Sequence, residues 1–448
     1  MNYREIALQL VDRARAAGAD EVDVYLTIGR DFEVTVRNKS IEVLKQALSK
    51  GVGIRVFRDH RMGFGHTTDF SADSLNRLVE QTLQMAKYAT QDEFHGLPSE
   101  NHQLVPADTG LDLYDTETAS LATEKKIALA KAMEEAALAY DKRVKIVEGA
   151  SFSEGDERIF IGNSRGFSGE YTGTGSTLVC SVIAEEEGGK QVNYWYSNKR
   201  HFKDHPSPEV IGRKAAERTV RMLKARKIPS GKFPVIFDPL IASSFLGSIA
   251  SALNGESVFR KTSFLTDKLG ASIASDLVTI IDDGLLKRGL SSRPFDGEGV
   301  PTRRKTIVEK GKLRSYLYDS YTARKAKTAT TGNASRSYSS TPQISPLNFF
   351  IEPGPHSPEK IIASIADGFY VTGMIGFGVD TVTGQFSRGA SGLWIKNGEL
   401  AFPVHEVTVA GNMLEMLQNI EMVGNDLEFF GPVASPTIKI SEMSISGT

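Results

Sequence analysis

The chain has 448 residues, 40% hydrophobic and 24% charged, the balance of a folded protein too long for one ordinary core, so two or three domains are expected. With 53 basic against 55 acidic residues the formal charge is −2, and no whole-chain field draws it toward phosphate polymers or anionic lipid; direct nucleic-acid binding is not expected. Cys180 is the one cysteine, which excludes an intrachain disulfide and a multi-thiolate metal site and fits a reducing cytoplasm.

The opening stretch, MNYREIALQLVDRARAAGAD, carries Arg4, Glu5, Asp12, Arg13 and Arg15 among its apolar residues, unlike the uncharged core of a secretory signal. Ile6, Leu10, Ala14 and Ala17 mark a helical face over residues 3–17 that Gly18 ends. EVDVYLTIG, FEVTVRNKSIEVLKQ and GVGIRVFRDHRMGFGHTTD then alternate apolar and polar residues as strands, with turns expected at Asn38, Gly51 and Asp59-His60. Ser71 caps a helix lined by Leu75, Leu78, Val79, Leu83 and Ala86. Residues 91–115 read as a linker rich in Pro, Gly and acidic side chains, followed by a long helix over 116–140. A second set of strands starts at Val144 and closes with a helix begun by Ser207-Pro208-Glu209. The order helix, meander, helix thus occurs twice, without a residue-level repeat strong enough to prove duplication.

IPSGKFP, residues 228–234, opens a third part. PVIFDP, LVTIIDD, a hairpin turning at Lys310-Gly311, YVTGMIG and a second hairpin turning at Asn397-Gly398 fit antiparallel pairing. Helices are expected near 242–253 and 412–422, and the polar segment 328–346 reads as a mobile or ligand-responsive loop. No stretch approaches the roughly 18 consecutive apolar residues of a membrane span. The expected class is α+β: an N-terminal α+β domain over 1–110, a linker helix and central α+β domain over 111–227, and a strand-rich, mainly antiparallel domain over 228–448.

Reactive side chains are sparse. His201 and His205 have the spacing of a helical metal pair, but Pro206 follows directly and no glutamate follows His201, so they read as ordinary surface histidines in a polar loop. His405-Glu406 begins like HExxH, yet Val409 stands where the second histidine belongs. Cys180 lies in the alternating strand STLVCSVIA as a small hydrophobe. GFSGEYTGTGS runs into a strand instead of opening a helix, which points to turns and not to a phosphate cradle. Gly, Pro, Asp and Arg mingle at strand ends around Arg260, Lys261, Asp296, Glu298, Arg303, Asp380 and Arg388. These charges are candidates to bind a peptide or a partner; the plainer reading is paired charges and turn formers.

The stretches KFPVIFDP, NGESVFRKTSFLTDKLG, IDDGLLKRGLSSRPFDGEGVPTRRKTIVEKGKLRSYLYDSYTARK, GFGVDTVTGQFSRGASGLWIKNGEL and VTVAGNMLEMLQNIEMVGNDLE resemble the TldD/PmbA family, more closely its PmbA (TldE) branch. Weaker similarity extends through LSKGVGIRVFRDHRMGFGHTTD, so nearly the whole chain is spanned in the family's order. The resemblance implies a cytosolic metallopeptidase system acting on peptides and unfolded segments, with TldD and TldE paired as a heterodimer. In the TldD branch an HExxxH helix and a distant cysteine hold zinc, which activates water while the glutamate moves its proton. Carried over through the Leu-x-Gly of ALNGES, the three key positions fall at about Leu246, Gly247 and Ser251, and FFGPVASP stands where the cysteine belongs. The resemblance therefore implies a chain without catalytic or metal residues of its own, with zinc on a TldD-like partner and a role in substrate binding or partner stabilisation; a homodimer is open to it when alone. Two other readings stand beside this one: a non-enzymatic modulator of DNA gyrase, and an autonomous metallopeptidase drawing on His60, His66, His201, His205 or His405.

Overall fold

Strict alternation along the first strands decides the architecture, because it gives one long sheet an apolar face for helices and a polar face for the rest of the chain. The computed structural model describes residues 2–99, 110–187 and 189–447, so residues 100–109 of the expected linker lie outside it. Helix α1 (Tyr3–Ala16) leads into β1 (Glu21–Arg37), β2 (Ser40–Arg58) and β3 (Arg61–Thr67), and α2 (Ala72–Tyr88) follows. Ser71 caps α2 by accepting from the Ser74 amide. Helices α3 (Thr116–Ser120) and α4 (Thr123–Tyr140) precede β4 (Val144–Asn163), β5 (Ser168–Glu186) and β6 (Gly189–Lys199), and α5 (Pro208–Val220) closes the second set. The single helix expected over 116–140 is broken because Leu121 and Ala122 adopt extended backbone and bury the leucine.

Both meanders belong to one sheet, ordered β3-β2-β1-β4-β5-β6 and antiparallel throughout. Even-numbered residues of β1 lie on its helix-covered face: Val22, Val24 and Leu26 pack with α1 and α2, and Phe32, Val34 and Val36 with α4 and α5. Odd-numbered Asp23 and Tyr25 meet the C-terminal part instead.

That part comprises β7 (Gly231–Phe237), α6 (Pro239–Ala252), α7 (Gly255–Phe259), β8 (Ile280–Asp283), β9 (Arg304–Glu309), β10 (Lys312–Leu313) and α8 (Ser320–Lys325). Short strands β11 (Ala334–Ser335), β12 (Gln343–Ile344) and β13 (Asn348–Ile351) follow, then α9 (Pro358–Ala363), β14 (Asp367–Ile375), β15 (Gln385–Lys396) and β16 (Glu399–Asn412). The chain ends through α10 (Met413–Gln418), β17 (Ile420–Val423), β18 (Val433–Ala434) and β19 (Ile438–Ser446). One sheet, β16-β15-β14-β7-β19-β17, curls until β19 also pairs with β16, and β10-β9-β8-β13-β18 forms a second. Most pairings are antiparallel, while β14 with β7 and β13 with β18 run parallel. Helix α6 packs against strands of both sheets and carries Ile241, Phe245, Leu246 and Ile249 into their shared core.

Paired positive φ angles at Asp59-His60, Lys310-Gly311 and Asn397-Gly398 make the expected turns, and Asn38 turns together with Lys39. Gly51 does not turn the chain. It lies mid-strand in β2 opposite Thr27, where a Cβ would stand 2.4 Å from the Tyr338 ring; at Gly53 one would stand 2.1 Å from the Tyr338 carbonyl oxygen. These bare positions let Tyr338, in the segment 328–346 expected as a mobile or ligand-responsive loop, lie directly on the sheet. The helix expected over 412–422 stops at Gln418, because Ile420 and Val423 bury themselves in β17 alongside β19.

A buried charge network joins the two bodies. The Arg55 guanidinium from β2 donates to Asp23 on β1 and, at 3.2 Å, to Glu298 of the C-terminal part, while Arg336 reaches Asp23 at 3.0 Å. Glu298 also accepts the Ser320 amide at 2.9 Å. All four side chains are at most 5% exposed, so truncating one strands its partners in a medium that solvates charge poorly. Arg55→Met is expected to lower the unfolding free energy by about 3–5 kcal/mol, read from the urea midpoint; an unchanged midpoint would contradict the role assigned to the network.

Candidate functional site

Helix α6 starts where β7 ends. Asp238 caps it, accepting the Ile241 amide at 2.9 Å and an Arg218 N–H at 3.2 Å. Burial pushes the Asp238 carboxyl above its ordinary range, against the pull of Arg218. Arg218 also donates to the Thr372 carbonyl at 2.8 Å, fixing α5 to this junction.

Along the helix one side is apolar and fully buried, and the other carries hydroxyls. Leu246 is 0% exposed in the core. Gly247 is half-buried, and a Cβ there would meet nothing within 4 Å. Ser251 is exposed and donates back to the Gly247 carbonyl at 3.1 Å. A hydrocarbon, a hydrogen and a hydroxyl are not the imidazole, thiolate or carboxylate donors that zinc takes, and these three positions do not fit the metal. Among the described residues, no group of three or more His, Cys, Asp or Glu side chains gathers as a metal site would.

Of the charged residues singled out from the sequence, Arg260, Lys261 and Asp380 lie on joined loops, and Arg388 on a strand ties those loops to α6. Arg388 on β15 donates to the Ser244 hydroxyl at 3.0 Å and to the Gly376 carbonyl at 3.1 Å, tying the loop after β14 to the helix. In that loop Asp380 accepts from the Val382 amide and the Thr383 hydroxyl, each at 2.8 Å, which holds its carboxyl below the usual range. The Phe264 amide donates to Thr381 O at 2.9 Å, joining the segment after α7 to the same loop. On that segment Arg260 pairs with Glu256 at 2.5 Å, and Lys261 is exposed with a positive φ. The loop also presents Ile375, Phe377 and Val382 at 76%, 103% and 50% exposure, an apolar cluster of the sort that marks contact surfaces. The signal for them was present in MIGFGVDTVTG, where apolar residues alternate with glycines that cannot help bury them.

Asp296 and Arg303 are not part of this constellation. Asp296 is buried and accepts the amides of Glu298, Val300 and Ala334 at 2.9, 3.0 and 3.0 Å. Arg303 is exposed beside β9 and donates to the Thr330 carbonyl at 3.1 Å. The histidines read as surface groups also differ. His201 is buried with Nε2 2.9 Å from the Asp112 carbonyl oxygen. His205 sits between the hydroxyls of Ser176 at 2.9 Å and Ser197 at 2.8 Å, and burial lowers its pKa to about 4. His205 thereby fastens the stretch between β6 and α5 to the sheet, and His201 fastens it to the segment before α3. His60 lies 3.2 Å from the His95 carbonyl oxygen, and His66 stacks on Phe64 and meets Tyr338 edge-on. His405 is half-buried on β16. Burial raises the Cys180 thiol to about 12, leaving it unreactive in its strand.

Burial, reinforced by Glu298, pushes the Asp296 carboxyl up to about 7. A raised folded-state value means that the folded chain holds this proton more tightly than the unfolded one, so the contribution is full below pH 3.8 and is lost as pH climbs through about 7. Asp296→Asn is expected to remove part of the fall in unfolding free energy across that window, measured by urea titrations at several pH values; an unaltered slope would contradict the assignment.

Comparison with known proteins agrees along the whole length. Residues 22–86 match domain 1 of the PmbA/TldA metallopeptidases, residues 117–223 their central domain, and residues 230–447 their C-terminal domain. Metalloprotease PmbA of Escherichia coli O157:H7 is 36% identical over 442 residues, covering 98% of this chain and 94% of that protein. A crystal structure from Bacteroides thetaiotaomicron, described as a modulator of DNA gyrase, superposes with a TM-score of 0.92 at 30% identity, covering 99% of both chains. TldE of Thermococcus kodakarensis shares the fold with a TM-score of 0.89 at 23% identity, covering 99% of this chain and 100% of its own. The chain belongs to the PmbA/TldD family of metallopeptidases. Within that family it lies on the PmbA side.

Proposed function

We propose that this chain is the non-catalytic, peptide-handling subunit of a PmbA/TldD-type peptidase, with hydrolysis carried out on the zinc of a TldD-like partner in the cytoplasm. The observation that carries the reading is the composition of α6: a buried Leu246, a bare Gly247 and a self-bonded Ser251 occupy the positions that would have to bind metal and move a proton. The exposed Phe377 and Ile375, with Arg388 on the neighbouring strand, supply a surface suited to an extended peptide or to the partner. Arg260, Lys261 and Asp380 belong to the loops that frame it. No described helix is long and apolar enough to cross a membrane.

Purified alone, the chain is expected not to cleave unstructured peptides such as casein fragments, and addition of a TldD-like subunit is expected to produce cleavage. Robust cleavage by the isolated chain, abolished by a chelator, would overturn the proposal. Phe377→Ser removes no buried surface, so its unfolding free energy is expected to stay within about 0.5 kcal/mol of the parent's, while the stimulated cleavage falls. A pull-down separates the reading from the gyrase-modulator alternative: it should recover a TldD-like metalloprotein, and recovery of a topoisomerase without one would favour the modulator.

A further inference from the structure

Strand β2 runs well past the strand that covers its outer edge. β3 pairs with residues 52–58, and among the described residues no strand lies on that side of residues 40–51, which β1 holds from the other side. Residues 40–46 and 48–50 are all exposed, so the stretch is open on both faces as well as at its edge. Ile41, Leu44 and Leu48 are 45%, 55% and 83% exposed. No proline interrupts the run, and a long edge that carries apolar side chains is a template for another strand.

The strand that fits follows from backbone parity. Asp59 and His60 form a two-residue turn with positive φ, so Arg58 and Arg61 on either side of it exchange backbone hydrogen bonds. The register of β2 against β1 is unbroken from Phe57 to Val43, and even-numbered residues therefore turn both N–H and C=O away from β1. Past the end of β3, the backbone groups of Leu44, Gln46, Leu48 and Lys50 face outward. Their side chains share one side of the sheet, Leu44 opposite Val34 and Leu48 opposite Arg30.

Laid antiparallel against a copy of itself with Gln46 at the centre, this stretch is self-complementary. Leu44 meets Leu48 of the copy through outward-facing backbone, and Glu42, at the β-bulge, comes alongside Lys50. Val43 falls opposite Ser49 and Lys45 opposite Ala47, so no like charges face each other. Centring on Lys45 instead would set two lysines together, and centring on Ala47 would set Leu44 against Lys50. Glu42 pairs with Arg37 at 3.4 Å on the open surface, and Lys50 lies 4.9 Å over the Phe70 ring; both keep an exposed charged end. A surface that matches itself in sequence and charge is what a two-fold contact requires.

We propose that two copies of this chain join edge to edge along residues 42–50 of β2, antiparallel across a two-fold axis at Gln46, so that the long sheet continues from one copy into the other. The inference is independent of the peptidase reading.

Sedimentation equilibrium of the full chain at low ionic strength tests it. The join is short, so a reversible dimer with a Kd on the order of 10 μM is expected. Glu42→Lys and Lys50→Glu each make both ends of the join like-charged, and each is expected to weaken dimerisation about tenfold. Mixed one to one, the two variants restore opposite charges at both ends and are expected to associate as tightly as the parent, a recovery that a folding defect would not give. A parent chain that stays monomeric to roughly ten times that Kd, a dimer indifferent to both substitutions, or variants that fail to recover on mixing would overturn the proposal. Capture of a TldD-like subunit by a monomeric parent, lost in both variants, would assign the edge to that subunit and overturn it equally.

Discussion

Everything the chain presents to a ligand depends on how its long sheet is held to its C-terminal part, and a guanidinium placed between two carboxylates holds it there. Arg55 takes Asp23 from its own sheet and Glu298 from across the junction, and Arg336 comes back from the C-terminal side to the same Asp23. Away from water such contacts are directional and hard to exchange, because every departure leaves an unpaired charge. The nearby carboxyls of Asp296 and Asp319 are both raised, by burial first and then by the charge of Glu298. A second buried pair, Arg218 with Asp238, connects α5 to the start of α6. Helix α6 is thereby fixed at its root to α5.

What α6 does follows from where its side chains can go. Its apolar residues fill the core between two sheets, and close packing there favours small side chains such as Ala242, Ala250 and Ala252. The hydroxyls on its other side largely bond back to the helix or to neighbouring segments: Ser243 donates to Pro239 O and accepts the Ser435 amide. The scaffold keeps a helix at the strand end while its side chains serve packing. The loop after β14 does the opposite, holding Ile375 and Phe377 clear of the core.

Much of this was legible in the sequence wherever the cause is local. The hairpin turns at Lys310-Gly311 and Asn397-Gly398 follow from residues that accept positive φ, and the duplicated order of helix, meander, helix follows from periodicity. Gly51 was misread because a strand glycine that makes room for Tyr338 is locally indistinguishable from one that turns the chain. The buried charges were harder still. Asp23 and Arg55 appear as polar members of alternating strands, and their partners lie hundreds of residues away at Glu298 and Arg336. Asp296 stood out by its company of Gly, Pro and Arg, but only the fold distinguishes a buried acceptor of three amides from an exposed binding group.

The central claim is that this polypeptide supplies no hydrolytic metal centre of its own. Elemental analysis of the untagged chain, purified without chelator and dialysed against zinc-buffered solution, tests it most directly: the account predicts far less than one zinc per chain. One zinc per chain, retained through dialysis and displaced only with loss of peptide cleavage, would contradict it.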